Sequence, residues 1–242
     1  MTKERVDAML VSRGLCESRE QAKRLIMAGE VLAGTERVSK PSQKFTDEVK
    51  LTVKERPKYV GRGGFKIEGA LQQFKIDPAG WICADLGAST GGFTDCLLQH
   101  GATKVHAIDV GTNQLVWKLR NDERVVSKER FNARNLQPDD VGELVKLVVM
   151  DLSFISLTKV LPAAFGILEK GGSVISLIKP QFELSRDEVG KGGIVREPDL
   201  HQKAVEKIKD FVINDLGRDW CGLMTSPITG TDGNVEFLAW MK

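Results

Sequence analysis

The stretch WICADLGASTGGFTDCLLQH, residues 81–100, decides the fold. Its apolar run at 81–86 predicts a strand, its glycines predict a tight turn, and residues 94–100 predict a helix. Glycine lets the backbone approach a ligand closely where the N–H groups of a helix point outward. The spacing matches neither G-x-G-x-x-G nor G-x-x-x-x-G-K-[ST], which disfavours a dinucleotide or ATP. The turn therefore predicts another nucleotide-type ligand, and a turn that only packs helix on strand is the alternative.

Around this stretch, strands and helices alternate through most of the chain. The clearest helical patterns cover residues 65–74, 157–169 and 199–216. The predicted strands are 81–86, 104–109, 125–127, 144–150, 173–178, 220–225 and 235–240. Alternation of this kind predicts an α/β fold with a mostly parallel, doubly wound sheet.

The composition is that of a soluble globular protein. The chain has 242 residues, of which 41% are hydrophobic and 28% charged, so it can bury a core. No apolar run approaches the ~18 residues of a membrane helix, and the charged N-terminus does not resemble a signal peptide. We therefore expect a cytoplasmic protein with no membrane partner. The four cysteines and three histidines show no ligand spacing, so neither disulfides nor a metal site is expected.

The N-terminal quarter carries the excess of positive charge. Residues 1–66 contain 15 Lys and Arg against 9 Asp and Glu, whereas residues 67–242 contain 20 against 24. This asymmetry favours a polyanionic partner for the N-terminal part, although a solvated basic surface would have the same composition.

Two short helices with exposed cations are predicted in this basic part. Apolar residues recur at helical spacing before Gly14, and Ser18-Arg-Glu-Gln starts a second helix, as a capping box, that ends at Gly29. Segments 30–33 and 48–53 predict short strands. Residues 4 to about 54 resemble the S4 domain, an α+β RNA-binding module. The cations predicted to contact RNA are Arg13, Arg19, Lys23 and Arg24.

The chain divides into two predicted domains. Pro57 and the glycines up to Gly64 interrupt regular structure. We predict an S4 domain over 1–55, a linker over 56–64 and a second domain over 65–242.

The second domain carries a pattern of acidic residues around the glycine turn. Asp109 ends the predicted strand 104–109, where a carboxylate can accept hydrogen bonds from two ribose hydroxyls. This pattern resembles the S-adenosylmethionine site of Rossmann-like methyltransferases, which implies that Asp85 holds the methionine end and Asn132 faces the adenine. The implied cofactor residues are Asp85, Gly87, Ala88, Ser89, Gly91, Gly92, Phe93, Asp109 and Asn132.

Four polar residues stand where a sheet would favour apolar or small ones. Asp151 and Lys179 follow apolar strands, Glu236 lies within the last predicted strand, and Lys66 starts the helix after the linker. Each alone could be a helix cap, a strand-end cation or a surface charge. In the order Lys, Asp, Lys, Glu they resemble the catalytic tetrad of FtsJ-type ribose 2′-O-methyltransferases.

The chemistry of ribose methylation suits these residue types. A hydroxyl is a poor nucleophile until its proton leaves, so a neighbouring lysine must accept that proton or stabilise the alkoxide. We predict that Lys179 is the activating residue and that the other three position it. Base N-methylation would more often show an Asn/Asp-Pro-Pro-aromatic motif, which residues 151–154 lack.

Five motifs lie between residues 61 and 196: GRGGFK at 61–66, DLGASTGGFTD at 85–95, DLSFIS at 151–156, KPQFE at 179–183 and GKGGIVR at 190–196. Together with the S4-like part, they make the chain resemble the TlyA family over nearly its whole length. The resemblance implies an S-adenosylmethionine-dependent rRNA (cytidine-2′-O)-methyltransferase that acts on ribosomal RNA or ribosomal subunits. The same family carries the older label of hemolysins. A non-catalytic RNA-binding or ribosome-assembly factor and a membrane-acting hemolysin are the alternatives.

Overall fold

The computed structural model describes residues 3–54, 57–230 and 232–242. The chain forms two compact units, Met1–Lys58 and Tyr59–Lys242. The linker predicted over 56–64 is divided at this boundary. Glu55, the predicted end of the S4 domain, and Arg56 lie outside the described residues, whereas the buried Tyr59 belongs to the larger unit and Gly63 already begins a helix of that unit.

The N-terminal unit packs two helices, α1 (Val6–Ser12) and α2 (Arg19–Met27), with two small antiparallel sheets. Its strands are β1 (Lys3–Arg5), β2 (Val31–Ala33), β3 (Glu36–Arg37), β4 (Lys44–Thr46) and β5 (Leu51–Val53). Strand β1 pairs with β4, and β2 lies between β3 and β5. Only β2 and β5 were predicted, because the other three run through polar sequence with no alternating pattern.

The helix starts and stops of this unit follow local sequence. The Ser18 hydroxyl accepts a hydrogen bond from the Gln21 backbone N–H at 3.2 Å. The other half of the predicted capping box is wrong, because the Gln21 side chain accepts from the Glu17 N–H instead. Gly29 has a φ of +73°, which explains why α2 stops just before it.

The larger unit is built on a seven-stranded sheet in the order β11-β12-β10-β9-β6-β7-β8. Its strands are β6 (Ile82–Leu86), β7 (Lys104–Ile108), β8 (Val125–Lys128), β9 (Val145–Met150), β10 (Leu168–Ile178), β11 (Trp220–Thr225) and β12 (Phe237–Met241). Strands β6 to β10 are parallel, and β12 runs antiparallel to both β10 and β11. This confirms the predicted mostly parallel sheet.

Helices cover both faces of this sheet. They are α3 (Gly63–Phe74), α4 (Gly92–Gln99), α5 (Trp117–Arg120), α6 (Pro138–Val141), α7 (Leu161–Gly166), α8 (Pro180–Glu183) and α9 (Pro198–Asp210). Helices α3 and α4 contribute to one apolar core, and α7 and α9 contribute to the other. Successive strand residues alternate between the two cores, as the pleat requires.

Two sequence predictions in this unit are wrong at element ends. The helix predicted over 157–169 is a 3₁₀ turn, Leu157–Lys159, followed by α7, and Leu168 already pairs with Val145 of β9. Glu236 lies just before β12 rather than within it. In both places the side-chain pattern is compatible with either state, and pairing with a neighbouring strand decides it.

The sheet topology locates the functional edge. Along the chain, β7 and β8 extend from one side of β6 and β9 and β10 extend from the other. The order of strands therefore reverses between β6 and β9. In open α/β sheets the ligand crevice lies at such a reversal, outside the carboxyl ends of the strands.

Candidate active site

The glycine turn after β6 has a backbone that only glycine accommodates. Gly87 has a φ of +86° and Gly91 a φ of +98°. A Cβ at Gly87 would lie 2.4 Å from the Asp151 carbonyl oxygen, and one at Gly91 would lie 2.3 Å from Leu119 Cδ1. The turn thus lies directly against the loop after β9 at Gly87 and against Leu119 of α5 at Gly91, with no side chain of its own in between.

Asp85 is fully buried beneath this turn. Its Oδ2 accepts hydrogen bonds from the Thr94 backbone N–H at 2.9 Å and the Thr94 hydroxyl at 2.6 Å. No partner among the described residues reaches its Oδ1. Burial raises the pKa of Asp85 to about 7. The carboxyl group therefore anchors the first turn of α4 and keeps one oxygen for a further donor.

Asp109 follows β7 and shapes the opposite side of the turn. Its Oδ2 accepts a hydrogen bond from the Ser89 N–H at 2.8 Å, and its Oδ1 accepts from the Gly111 N–H at 2.7 Å. A carboxylate has about four acceptor positions. Asp109 can therefore still accept hydrogen bonds from a ligand.

Two adjoining cavities surround the glycine turn. One, of about 500 Å³, is lined by Asp109, Phe131 and Asn132, and the other, of about 130 Å³, by Arg62 and the start of α4. Seven of the nine predicted cofactor residues line them: Gly87, Ala88, Ser89, Gly92, Phe93, Asp109 and Asn132. Asp85 lies beneath the turn, and Gly91 packs against Leu115 and Leu119.

The four predicted catalytic residues meet in one chain of alternating charges. Lys66 Nζ lies 2.6 Å from Glu236 Oε2 and 3.7 Å from Asp151 Oδ2. Lys179 Nζ lies 2.6 Å from Asp151 Oδ1. Lys66 and Glu236 are only 8% and 3% exposed. Two cations and two anions balance, which is the condition under which buried charges are tolerated.

This charged chain lines a third cavity, of about 450 Å³. Gly87, Ser89 and Asp151 line all three cavities. A ligand on the glycine turn would thus lie next to Asp151 and, through it, next to Lys179. The geometry permits a reaction between a group held on the turn and a second molecule in the third cavity.

Sequence reasoning missed an aromatic pair at the same cavity. Phe154 is 91% exposed and has a φ of +62°. Its ring centroid lies 5.1 Å from that of Phe182, and both residues line the third cavity. The sequence signal for this exposed ring is the phenylalanine of the DLSF segment, residues 151–154, directly after β9. Ser153, between Asp151 and Phe154, accepts a hydrogen bond from Lys179 at 2.9 Å.

The predicted RNA-binding cations lie in the N-terminal unit. Arg19 is 57% exposed at its side chain and pairs with the buried Asp7, which also pairs with Arg5. The hydrogen bonds and charges of Arg5 and Arg19 hold the pKa of Asp7 well below its usual range. Lys23 pairs with the exposed Glu20, and Arg24 is exposed.

Arg13 differs from the other predicted RNA-binding residues. Its guanidinium donates to the Val49 carbonyl oxygen at 2.6 Å and to the Asp47 carbonyl oxygen at 2.7 Å. These bonds tie α1 to the segment before β5. These donors of Arg13 are therefore engaged in holding the fold. Arg5 lies beside Arg19, because both pair with Asp7.

Two features are absent from the described ranges 3–54, 57–230 and 232–242. No three His, Cys, Asp or Glu side chains there come together as a metal would require. No helix in those ranges has the length and apolar character needed to cross a membrane.

Comparison with known proteins agrees with this geometry. Residues 59–242 match the FtsJ-like methyltransferase family, and residues 4–49 match the S4 domain. The chain is 48% identical to the 16S/23S rRNA (cytidine-2′-O)-methyltransferase TlyA of Mycobacterium tuberculosis, over 98% of this chain and 89% of that protein. It is 45% identical to Hemolysin A of Brachyspira hyodysenteriae, over 97% and 98% of the two chains.

Solved structures share the fold. The chain superposes on "Putative hemolysin from Streptococcus thermophilus" with a TM-score of 0.75 and 50% identity, over 100% of this chain and 88% of that one. A fibrillarin from Aeropyrum pernix, solved with bound S-adenosyl-L-methionine, gives a TM-score of 0.51 at 14% identity over 73% and 74% of the two chains. The predicted fold class, a small S4 domain followed by a Rossmann-like methyltransferase sheet, is confirmed. This chain belongs to the FtsJ-like methyltransferase family and, within it, to the TlyA group.

Proposed function

We propose that this protein transfers a methyl group from S-adenosylmethionine to a ribose 2′-hydroxyl of ribosomal RNA, with cytidine as the target. The observation that carries the proposal is the chain of charges from Glu236 to Lys179, which adjoins the glycine-turn cavities at Asp151. The name of the Mycobacterium tuberculosis relative, an rRNA (cytidine-2′-O)-methyltransferase, supports both RNA and cytidine as the substrate. We propose the cytoplasm as its location, because the proposed substrate is ribosomal RNA.

The residues around the glycine turn fit this cofactor. Asp109 has acceptor capacity left for the ribose hydroxyls, and Asn132 lines the same cavity. The unpartnered Oδ1 of Asp85 would be satisfied by a cationic group such as the amine of the methionine end. When bound, S-adenosylmethionine supplies an electrophilic methyl group on a sulfonium.

The chain's own residues activate the acceptor. Lys179 and Asp151 line the third cavity and lie in contact. A ribose hydroxyl placed there can lose its proton to the lysine amine or be held as an alkoxide by its charge. Lys66, between Glu236 and Asp151, fixes the orientation of Asp151. Asp151 in turn holds Lys179.

The aromatic pair supports a nucleotide as the occupant of the third cavity. Proteins bind unpaired RNA bases by stacking them on aromatic rings. Phe154 offers an exposed ring beside Phe182, at the same cavity as Lys179. A base stacked there would bring its own ribose toward the lysine.

The decisive experiment uses ribosomal subunits from a strain that lacks the gene. Each subunit is incubated with pure protein and labelled S-adenosylmethionine, and ribose methyl groups are then mapped. We expect one or a few cytidines to be labelled. If the protein binds the cofactor but transfers no methyl group to either subunit, a non-catalytic RNA-binding or ribosome-assembly factor is favoured. Leakage of liposomes caused by the pure protein would favour the hemolysin alternative that one relative's name raises.

Replacing Asp109 should weaken cofactor binding. Asp109→Ala removes the acceptor for the ribose hydroxyls and also frees the Ser89 N–H, so we expect a loss of about 1.5–3 kcal/mol, measured by calorimetry. Asp109→Asn keeps one acceptor oxygen and should lose less. Asp139→Ala, which removes an exposed carboxylate from α6, is the control and should bind normally. Unchanged affinity in both Asp109 variants would remove this residue from the site.

Removing two cations of α2 should weaken RNA binding. We expect Arg19→Ala with Lys23→Ala to lower RNA affinity and to make the slope of log K against log salt shallower by up to about 2, because phosphate contacts act through charge. Cofactor affinity should not change. The control, Lys146→Ala with Lys170→Ala, removes the same charge at the amino ends of β9 and β10. An equal loss at every salt concentration would indicate damage to the fold instead.

A further inference from the structure

A buried carboxylate near the active site has no part in the reaction proposed above. Glu183, the last residue of α8, is 4% exposed. Its Oε2 accepts a hydrogen bond from the Ser156 hydroxyl at 2.5 Å, and its Oε1 accepts from the Leu157 backbone N–H at 2.7 Å. Lys207 of α9 lies 3.2 Å from Oε2. Burying a carboxylate is costly unless such partners are present, so this arrangement requires an explanation.

The contacts of Glu183 continue a series that joins two loops. One loop follows β9 and begins at Asp151, and the other segment follows β10 and begins at Lys179. The first link is the pair Asp151–Lys179, the second is the hydrogen bond from Lys179 to Ser153, and the third is the ring contact between Phe154 and Phe182. Glu183 makes the fourth link, at the far end.

These four links lie beyond the carboxyl ends of β9 and β10. Strands β9 and β10 are hydrogen-bonded neighbours up to Met150 and Ser176. Beyond that point, side chains hold the two segments in the same parallel order. Of the four links, only the one at Glu183 joins a buried charge to a backbone N–H of the other segment. It therefore restrains the main chain, whereas the other three restrain side chains.

We propose that Glu183 is a positioning residue: by fixing the loop after β9 to the segment after β10, it sets the Asp151–Lys179 contact and the place of Phe154. The proposal rests on the proposed function, because it assigns these groups to methyl transfer. A displacement of about 1 Å at a reacting group can cost about 10²-fold in rate. A carboxylate that only capped the turn at Leu157 would affect stability and leave the rate of the folded protein unchanged.

The test compares two substitutions at Glu183. Glu183→Ala removes both loop bonds, and we expect the single-turnover rate of RNA methylation to fall about 10- to 100-fold with saturating cofactor and RNA. Glu183→Gln can keep both bonds, since its carbonyl accepts from the Leu157 N–H and its amide donates to the Ser156 hydroxyl. The glutamine variant should therefore recover most of the rate. Residues 152–155 also line the cavity at Asp109, so cofactor affinity is measured separately and should fall by a smaller factor than the rate in Glu183→Ala.

Two further variants serve as a control and as a milder test. Asp140→Ala, in α6, removes a carboxylate that likewise accepts hydrogen bonds from a backbone N–H, that of Gln137, and from a lysine, Lys128. Asp140 lines none of the three cavities. Its methylation rate should equal that of the parent. If Glu183→Ala does not fold, Ser156→Ala removes one of the two loop donors and should lower the rate about 2- to 5-fold.

Several outcomes would overturn the proposal. One is a methylation rate in folded Glu183→Ala equal to that of the parent. Another is a methylation rate in Glu183→Gln as low as that in Glu183→Ala. The third is a loss of cofactor affinity as large as the loss of methylation rate. Amide hydrogen exchange separates this proposal from the proposed function, because it needs no activity. If residues 152–157 exchange faster in Glu183→Ala than in the parent, Glu183 restrains the loop. If the parent protein also proves to be inactive, only the proposed methylation is rejected.

Discussion

Lys179→Ala should lower the rate of RNA methylation by about 10²- to 10⁴-fold, the usual contribution of a positioned proton-transfer group. Cofactor binding should barely change, because Lys179 does not line the cavity that contains Asp109 and Asn132 or the cavity at the start of α4. The measurement is the single-turnover rate, with cofactor affinity determined separately. The alanine variant also leaves Asp151 without its 2.6 Å partner, so melting temperature must be recorded.

The control for this variant is another ion-paired lysine on the same strands. Lys146 of β9 lies 2.8 Å from Glu169 of β10, at the amino ends of the strands. Lys146→Ala breaks an ion pair of similar geometry and should keep full activity. Full activity in Lys179→Ala would instead remove Lys179 from the mechanism.

Lys179→Arg separates the two roles that a lysine can have here. A guanidinium stays protonated at any working pH and cannot accept a proton. If Lys179 is the base, the arginine variant should be as inactive as the alanine variant. Substantial activity would mean that Lys179 supplies only positive charge to the developing alkoxide.

Glu236→Ala should destabilise the larger unit by about 3–5 kcal/mol, because it leaves the buried Lys66 without its close partner. The lower end of this range is expected, since Asp151 remains 3.7 Å from Lys66 Nζ. Urea denaturation with a constant slope would measure the change. Replacing both partners, as in Lys66→Met with Glu236→Leu, should restore most of the stability while abolishing any catalytic role of the pair.

A surface ion pair provides the comparison for this loss. Arg120 and Glu129 lie 2.5 Å apart with about a quarter to a third of each side chain exposed, 30% and 24%. Glu129→Ala should cost at most about 1 kcal/mol, as is typical of partly exposed pairs. A cost for Glu236→Ala no larger than this would mean that Lys66 is solvated in another way, and the proposed role of Lys66 in orienting Asp151 would be wrong.

The order of elements in the larger unit could be predicted because its signals are local. Apolar runs of five or six residues, glycine turns and intervening helical patterns each depend on neighbours in sequence. The same reasoning failed at Leu168 and at β1, β3 and β4. At Leu168, β1 and β4, hydrogen bonding to a strand distant in sequence determines the conformation, and no local pattern records it. Strand β3 is only two residues long and pairs with the preceding strand β2 across a short turn, too brief for an alternating pattern.

The candidate site divides in the same way. Asp151 and Lys179 could be placed at one edge of the sheet, because the carboxyl ends of parallel neighbouring strands lie together. Lys66 and Glu236 are 170 residues apart in sequence. Their proximity was predicted only from the resemblance to a family, and the 2.6 Å contact between them is seen only in the fold. The inward position of Asp85, the engagement of Arg13 and the exposure of Phe154 were not predicted from the sequence.

The sequence by itself determined the two-part organisation, the doubly wound sheet, the glycine turn and the residue types available for catalysis, because period, glycine placement and charge are properties of short segments. Only the tertiary structure decided which charges pair, which are buried and how the loops after β9 and β10 are joined. Those properties depend on distances between segments far apart in the chain and on the removal of water around them, and both arise only when the sheet and its helices have packed.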